Sequence, residues 1–362
     1  MISRLLRPGF PVPPRCFRLA LSPAVRNITP WANRQKLLEQ DFNNHDGVTG
    51  ASRDYAEKRR LRESPTQPNG FAEAHARIKT LMASGDFEQA WDAFEAEPAG
   101  SSDIRLCTTA VQLCTKAAWP DRAWKLWSQI TSKDVVLYSA MISMCARNVQ
   151  PRQAVEVFNE MQAEGLKPNL ITYNALVNAF SMSGEPQKAY QVFRDIPEEL
   201  TSDATETSLQ SLFQVAMSGW ARAGNYAKCR DLFVELTTRG IKPDVRHYNA
   251  LLTACAKEPH ADLAQAVFDQ MRSSGFTPRA ESWTTLLACL RNDLPRAKAV
   301  FHDMESSGCR PTSLTYQQLL EAHVLARDGV GARELTQDLG KFGQRVESTK
   351  TRRLLEQVQH LQ

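Results

Sequence analysis

"LKPNLITYNALVNAF", residues 166–180, returns with edits 75 residues later as "IKPDVRHYNALLTAC", residues 241–255. Both copies carry a Lys-Pro pair and a Tyr-Asn-Ala-Leu core at the same separation, which points to an internal repeat. The register extends outward from this pair. Its aromatic position recurs as Tyr138, Tyr173, Phe213, Tyr248, Trp283 and Tyr316, in steps of 35, 40, 35, 35 and 33 residues. A second column, Phe158, Phe193, Phe233, Phe268 and Phe301, steps by 35, 40, 35 and 33, and Pro243, Pro278 and Pro311 keep the same 35 and 33.

The spacing inside a unit fixes its secondary structure. Tyr173, Leu176, Val177 and Phe180 fall at i, i+3, i+4 and i+7, and Ala189, Val192, Phe193 and Ile196 repeat the pattern, so each unit holds two amphipathic helices. Gly184 and Gly224 lie between the two, where a residue that tolerates the left-handed conformation ends the first helix. A single helical hairpin cannot bury its own apolar face. Its neighbours must stack on it, which generates a superhelix with a concave groove.

Eight units are expected over residues 71–347, beginning at about Phe71, Ile104, Val135, Leu170, Gln210, Val245, Ala280 and Ser313, with the first two divergent. The fourth gains about five residues around "ELTSDATE" and the seventh loses two near "RNDLP", changes expected to sit in turns. Residues 348–362 read as a closing amphipathic helix that caps the last apolar face. Residues 39–70 are polar, without apolar periodicity, and read as a linker.

Residues 1–38 carry six arginines and one lysine but no acidic residue. Such a leader reads as an organelle transit peptide, with a basic arm that contacts nucleic acid directly as the alternative. Its arginine content, greater than that of serine or threonine, favours the mitochondrion over a plastid. Without it the chain has 37 basic and 40 acidic residues, so any nucleic-acid contact must come from local placement of charge. No stretch has the roughly 18 uncharged apolar residues that a membrane span requires.

The sequence gives little support to catalysis. No two cysteines form a CxxC, none pairs with histidine at a zinc spacing, and no phosphate-binding glycine loop is present. Cys114, Cys145 and Cys255 share a column with Phe180 and Trp220 and are expected in the core. A zinc deaminase would need an HxE and a later CxxC, which His302, His323 and His360 do not begin. Neither an enzyme nor a cofactor, metal or small-molecule substrate is expected.

The order of "YNALV" or "YNALL", then Gly, Ala, Phe, Met and "GxxPD" or "GxxPN", resembles the pentatricopeptide-repeat family, most clearly over residues 135–204 and 210–279. The resemblance implies an all-α, right-handed superhelical solenoid of tandem helix-turn-helix repeats. It also implies single-stranded organellar RNA as partner, one base per repeat. In that family the residue after the aromatic and the last residue of the unit choose the base. Here the first set is His75, Thr108, Ser139, Asn174, Gln214, Asn249, Thr284 and Gln317; the second is Asp134, Asn169, Ala204, Asp244, Arg279, Thr312 and Glu347. Ser139 with Asn169 resembles the family's adenine pair and Thr108 with Asp134 a guanine pair, whereas Gln214/Asp244, Asn249/Arg279, Thr284/Thr312 and Gln317/Glu347 depart from the familiar combinations. For any one of these polar residues helix capping is the competing role.

A further column, Lys116, Arg147, Arg222 and Lys257, with Arg291 nearby, falls near the end of the first helix, where the family faces the RNA backbone. The helix dipole alone also favours cations there. Two functions follow: an RNA-binding adaptor in transcript processing, stability or translation, or a scaffold, such as an organellar ribosome component, that binds proteins or ribosomal RNA with little base reading.

Overall fold

From the third unit onward the first helix is held to the unit before it by an aromatic pair that joins the two sequence columns. Tyr138 meets Trp127, Tyr173 meets Phe158, Phe213 meets Phe193, Tyr248 meets Phe233, Trp283 meets Phe268 and Tyr316 meets Phe301, with ring centroids 4.6–5.7 Å apart. One ring comes from the first helix of a unit and the other from the second helix of the unit before. Tilted and edge-to-face pairs of this kind add about 0.5–1.5 kcal/mol each beyond the area they bury.

The computed structural model describes residues 70–97, 103–257, 260–341, 353–354 and 356–357. The chain divides into two units, Met1–Phe71 and Ala72–Gln362, and the solenoid occupies the second. The expected leader at 1–38 and linker at 39–70 fall outside the described residues, apart from Gly70 at the start of the first helix.

Seventeen helices are present among the described residues, and no strand. The first helices are α1 (Gly70–Ser84), α3 (Ile104–Ala117), α5 (Val135–Arg147), α7 (Leu170–Met182), α10 (Glu206–Arg222), α12 (Val245–Lys257), α14 (Ala280–Cys289) and α16 (Ser313–Leu325). Their partners are α2 (Phe87–Glu95), α4 (Pro120–Gln129), α6 (Pro151–Ala163), α8 (Pro186–Arg194), α11 (Tyr226–Thr238), α13 (Ala261–Ser273), α15 (Leu294–Ser306) and α17 (Gly329–Lys341). A short α9 (Glu198–Ser202) intervenes after α8. The architecture is an all-α solenoid of helix-turn-helix repeats.

From α3 onward every first helix packs closely on the next, whereas successive second helices are not closely packed. The array therefore curves toward the first helices, and their outer face is the concave one. Long ion pairs tie the opposite face together instead: Arg122 to Glu88 at 2.9 Å, Arg194 to Glu235 at 2.6 Å and Arg296 to Asp262 at 2.7 Å.

First helices end in a shared geometry. The N–H groups of Trp119, Gln150, Glu185 and Asn225 bond to the carbonyls of Cys114, Cys145, Phe180 and Trp220 at 2.9–3.0 Å, the Schellman closure. Gly184 and Gly224 supply the left-handed residue with φ of 80° and 77°, as the sequence requires. In the second, third and eighth units a side-chain-bearing residue does so: Ala118 (φ 59°), Val149 (φ 57°) and Arg327 (φ 56°). Proline at the start of α4, α6 and α8 sits where a missing N–H costs nothing.

The two length changes do not sit in plain turns. The extra residues of the fourth unit build α9 and lengthen α10 by about one turn, to 17 residues with Thr205 as N-cap. The deletion near "RNDLP" shortens α14 to 10 residues instead of the 13 of α5, α7 and α12. Beyond α17, Leu354 is helical and packs on Leu320 and Ala332; most of the segment 348–362 expected to close the array lies outside the described residues.

Candidate nucleic-acid interface

The last residue of a unit is the N-cap of the next first helix. Asp134 accepts from the Leu137 N–H at 2.8 Å and Asn169 accepts from the Thr172 N–H at 2.9 Å. Asp244 accepts from Arg246 N–H at 2.9 Å, and Thr312 closes a capping box with Thr315. Arg279 occupies the same place without a side-chain cap. For Asp134 and Asn169 capping thus uses one oxygen and leaves the rest of the head for other partners. Ala204 departs from this register: it precedes Thr205, and the lengthened α10 carries the equivalent position into its interior at Leu209. Glu347 lies outside the described residues.

Residues after the aromatic are less open than short polar groups at a helix start suggest. Thr108, Ser139, Asn249, Thr284 and Gln317 are buried, and His75, Asn174 and Gln214 are half-buried. Four of the eight are bonded to the next unit. Ser139 Oγ lies 2.7 Å from Thr172 Oγ1, Thr284 Oγ1 lies 2.8 Å from Thr315 Oγ1, and Ser282 donates to Asn249 Oδ1 at 2.7 Å. Asn174 donates to Ser211 at 3.2 Å, Gln214 turns along its own helix to Ser218 at 2.9 Å, and Thr108 donates back to Ile104 O at 2.8 Å. Thr172, Ser282 and Thr315 are fully buried at the third position of their helices, next to the N-cap. The sequence reading did not single them out, because their partners lie 31–33 residues away.

His247 takes that third position in α12. Its Nδ1 is 2.7 Å from Asp244 Oδ1 and its Nε2 is 3.0 Å from Gln210 O. Burial lowers its pKa more than Asp244 restores it. Asp244 also meets the Arg246 guanidinium at 2.6 Å. Its carboxylate is therefore engaged on both oxygens and differs from Asp134 in what it can offer the groove.

Two open clefts lie along the first-helix face. One, of about 420 Å³, has Ser139 and Asn169 in its wall, flanked by Val136 and Ile171, with Lys116 and Arg147 at its edge. Val136 is 56% exposed and Ile171 67% exposed, large values for aliphatic side chains. They share a register with Leu314, two residues before the aromatic. That column is the component sequence reasoning missed; its signal was an apolar residue out of phase with the buried helix face. The second cleft, of similar volume, has Asn249 and Gln214 in its wall, but Arg246 and Glu281 stand in that column. The first cleft matches a flat, apolar-faced ring with polar edges, and the second is walled by charge.

The cation column is in place on four first helices. Lys116, Arg147, Arg222 and Lys257 are exposed in the last turns of α3, α5, α10 and α12, and none forms an ion pair among the described residues. Arg222 reaches Met182 Sδ at 2.7 Å, and burial pushes its guanidinium below the ordinary pKa. Arg291 departs from the column: the shortened α14 ends before it, at Cys289, and leaves it in the turn. The contrast with the opposite face, where Arg122, Arg194, Arg239 and Arg296 each have a carboxylate, gives the first-helix face its excess of uncompensated positive charge.

Nothing nucleophilic stands out beside these groups. Cys107, Cys114, Cys145, Cys229, Cys255 and Cys289 are buried, and burial raises the thiols of Cys114, Cys145, Cys229 and Cys255 to about 12. Among the described residues no group of three or more His, Cys, Asp or Glu side chains is placed to hold a metal ion, and no helix is long and apolar enough to cross a membrane.

Comparison with known proteins matches this repeat. The family model described as the pentacotripeptide-repeat region of PRORP matches overlapping segments 104–222, 136–289 and 225–351. The chain belongs to the pentatricopeptide-repeat family. A pentatricopeptide repeat-containing protein of Arabidopsis thaliana is 30% identical over 167 residues, covering 46% of this chain and 30% of the relative. Another, described as mitochondrial, is 26% identical over 163 residues, covering 45% of this chain and 22% of the relative. The matched segments thus span less than a third of these curated pentatricopeptide-repeat relatives. Among solved structures, the maize pentatricopeptide repeat protein PPR10 aligns with a TM-score of 0.49 and 20% identity, over 82% of this chain and 48% of its own.

Proposed function

We propose that this pentatricopeptide-repeat protein binds single-stranded RNA along its first helices and acts on an organellar transcript, in processing, stability or translation, without catalysis of its own. The observation that carries the reading is the row of exposed cations Lys116, Arg147, Arg222 and Lys257, unpaired among the described residues, on a face whose clefts are lined by polar edges. Phosphate is the counter-charge that such a row accepts, and bases seated in the clefts would supply sequence preference. The arginine-bearing, acid-free leader supports an organelle, and favours the mitochondrion.

The charged walls of the second cleft, Arg246 and Glu281, favour a second reading: a scaffold, for instance in an organellar ribosome, that holds proteins or structured RNA with little base reading. One variant separates the two. Changing Arg147, Arg222 and Lys257 together to glutamate is expected to abolish binding to single-stranded RNA while the helical circular dichroism and unfolding transition persist. Undiminished RNA affinity in that folded variant removes the groove reading. Crosslinking in the native organelle then assigns the partner: a discrete footprint of roughly eight nucleotides fits one base per repeat, and footprints confined to ribosomal RNA fit the scaffold.

A further inference from the structure

Buried hydroxyls at the third position of the first helices touch no groove surface, yet they bond the side chains that do. Thr172 is fully buried and its hydroxyl lies 3.0 Å from Asn169 Oδ1 and 2.7 Å from Ser139 Oγ. Both side chains line the first cleft. The network leaves little choice of proton positions. The Thr172 N–H can only donate, so the amide oxygen of Asn169 must face it at 2.9 Å and the Nδ2 donors must point the other way. Ser139 Oγ lies 2.8 Å from Val135 O, which can only accept. If Thr172 donates to Asn169, Ser139 donates to Thr172 or Val135; if Thr172 donates to Ser139, Ser139 donates to Val135. In each case the serine proton is spent inside the protein and a lone pair faces the cleft. The first cleft therefore offers one acceptor and one set of donors, fixed in place.

Ser282 sets the opposite polarity three units further along. Its hydroxyl donates to Asn249 Oδ1 at 2.7 Å, so the amide oxygen is consumed and the Nδ2 donors remain for the second cleft. The other polar side chains of the lining are Arg222 and Arg246, which can only donate, Glu281, whose carboxylate can only accept, Gln214, whose Nε2 is turned to Ser218, and the hydroxyls of Ser218 and Thr253, which donate to backbone carbonyls of their own helices. At Asn249 itself a base carbonyl is satisfied, and an exocyclic amino group leaves two donors face to face, an unpaired contact that disfavours it.

We propose that Thr172 and Ser282 are positioning residues that fix which hydrogen-bonding atoms of Ser139, Asn169 and Asn249 face the groove, and so set the base preference of their two clefts; at Asn249 the preference is for a base edge that presents a carbonyl oxygen. This rests on the RNA-binding reading above and adds what decides selectivity. Leu137 occupies the third position in α5, so Thr108 has no such hydroxyl partner, whereas Asn174 donates to Ser211 of α10. Base preference at Thr108 is correspondingly weaker.

The test uses the full chain and a pool of single-stranded RNA randomised over 12 nucleotides, selected in parallel on wild type and on the variants Thr172→Val, Thr172→Ser, Ser282→Ala and Asn249→Asp. Valine keeps the shape of threonine and removes the hydroxyl; thermal unfolding of each variant checks the fold. Thr172→Val is expected to reduce the preference at one nucleotide by roughly fivefold, the weight of one hydrogen bond, and Thr172→Ser to restore it. Ser282→Ala should lose preference at a nucleotide three positions away, matching the three-unit separation at one base per unit. Asn249→Asp, which replaces donors with acceptors, should turn that position from base edges that present a carbonyl toward those that present an amino group. A wild-type preference that survives Thr172→Val and Ser282→Ala unchanged overturns the positioning role and leaves RNA reading intact. A wild-type pool with no preference at any position removes the positioning role together with base reading, while retained RNA binding in that pool would keep the groove itself.

Discussion

Val149 is a β-branched residue held at φ 57°, in the same Schellman closure that Gly184 makes one unit later at φ 80°. The left-handed conformation costs an L-residue about 1–2 kcal/mol, and a branched side chain lies at the upper end of that range. Val149→Gly removes this strain. Against it stand the chain entropy of glycine, about 0.5–1 kcal/mol, and the contacts of a side chain already 50% exposed, about 0.5 kcal/mol. The net expectation is a gain of about 0.5–1 kcal/mol, read by scanning calorimetry as a midpoint rise of about 1–4 °C. Gly184→Val is the mirror experiment and the cleaner one, because a Cβ at Gly184 has no heavy atom within 4 Å and only the backbone responds. It should lower the midpoint by a comparable amount, and Ala118→Gly should gain less than Val149→Gly because alanine has no branch. A neutral Gly184→Val, or a Val149→Gly that unfolds earlier than wild type, refutes the claim that backbone strain is stored in these turns.

Other outcomes follow from features already described. Four unpaired groove cations predict that RNA affinity falls with salt at a log–log slope of about −3, and that Arg147→Gln with Arg222→Gln makes it shallower by about 1.4, measured by fluorescence anisotropy; an unchanged slope argues that these side chains do not meet phosphate. Gly224→Ala should destabilise by more than Gly184→Ala, since its Cβ would come within 2.7 Å of Lys257 Cβ as well as straining the turn at φ 77°; equal midpoints for the two variants would contradict it. Acid should weaken the fold through His247 and His323, whose folded pKa values lie below the ordinary 6.5 because of burial. The unfolded chain then binds protons first, so stability is complete above about pH 6.5 and declines as pH falls toward the folded values. His247→Gln should flatten the urea midpoint between pH 7 and pH 5, and an undiminished dependence would assign the effect elsewhere.

Aromatic columns and glycine placement made the helical hairpin readable from sequence because both are local or strictly periodic demands: Tyr248 must meet Phe233, and Gly224 must turn left. Length changes were harder to place. An insertion can be absorbed by extending a helix when the added residues keep the apolar phase, as in α10, which moved Leu209 into the register expected of Ala204. A deletion can shorten a helix from its end, which carried Arg291 off the cation column. The candidate site was legible at the level of residue types and positions but not of hydrogen-bond direction. Whether Asn249 offers an oxygen or an amide depends on Ser282, 33 residues later, and no local pattern in the sequence marks that partnership.

Buried thiols are distributed almost one unit at a time: Cys107 and Cys114 in the second, Cys145 in the third, Cys229 in the fifth, Cys255 in the sixth and Cys289 in the seventh. A thiol reagent can reach each only when its own unit opens, so the chain carries a ruler for its own fraying. Pulsed alkylation in mild denaturant, followed by mass mapping, would time the opening of individual bricks. An array that unzips from an end would label in chain order, whereas an all-or-none transition would label these six positions together.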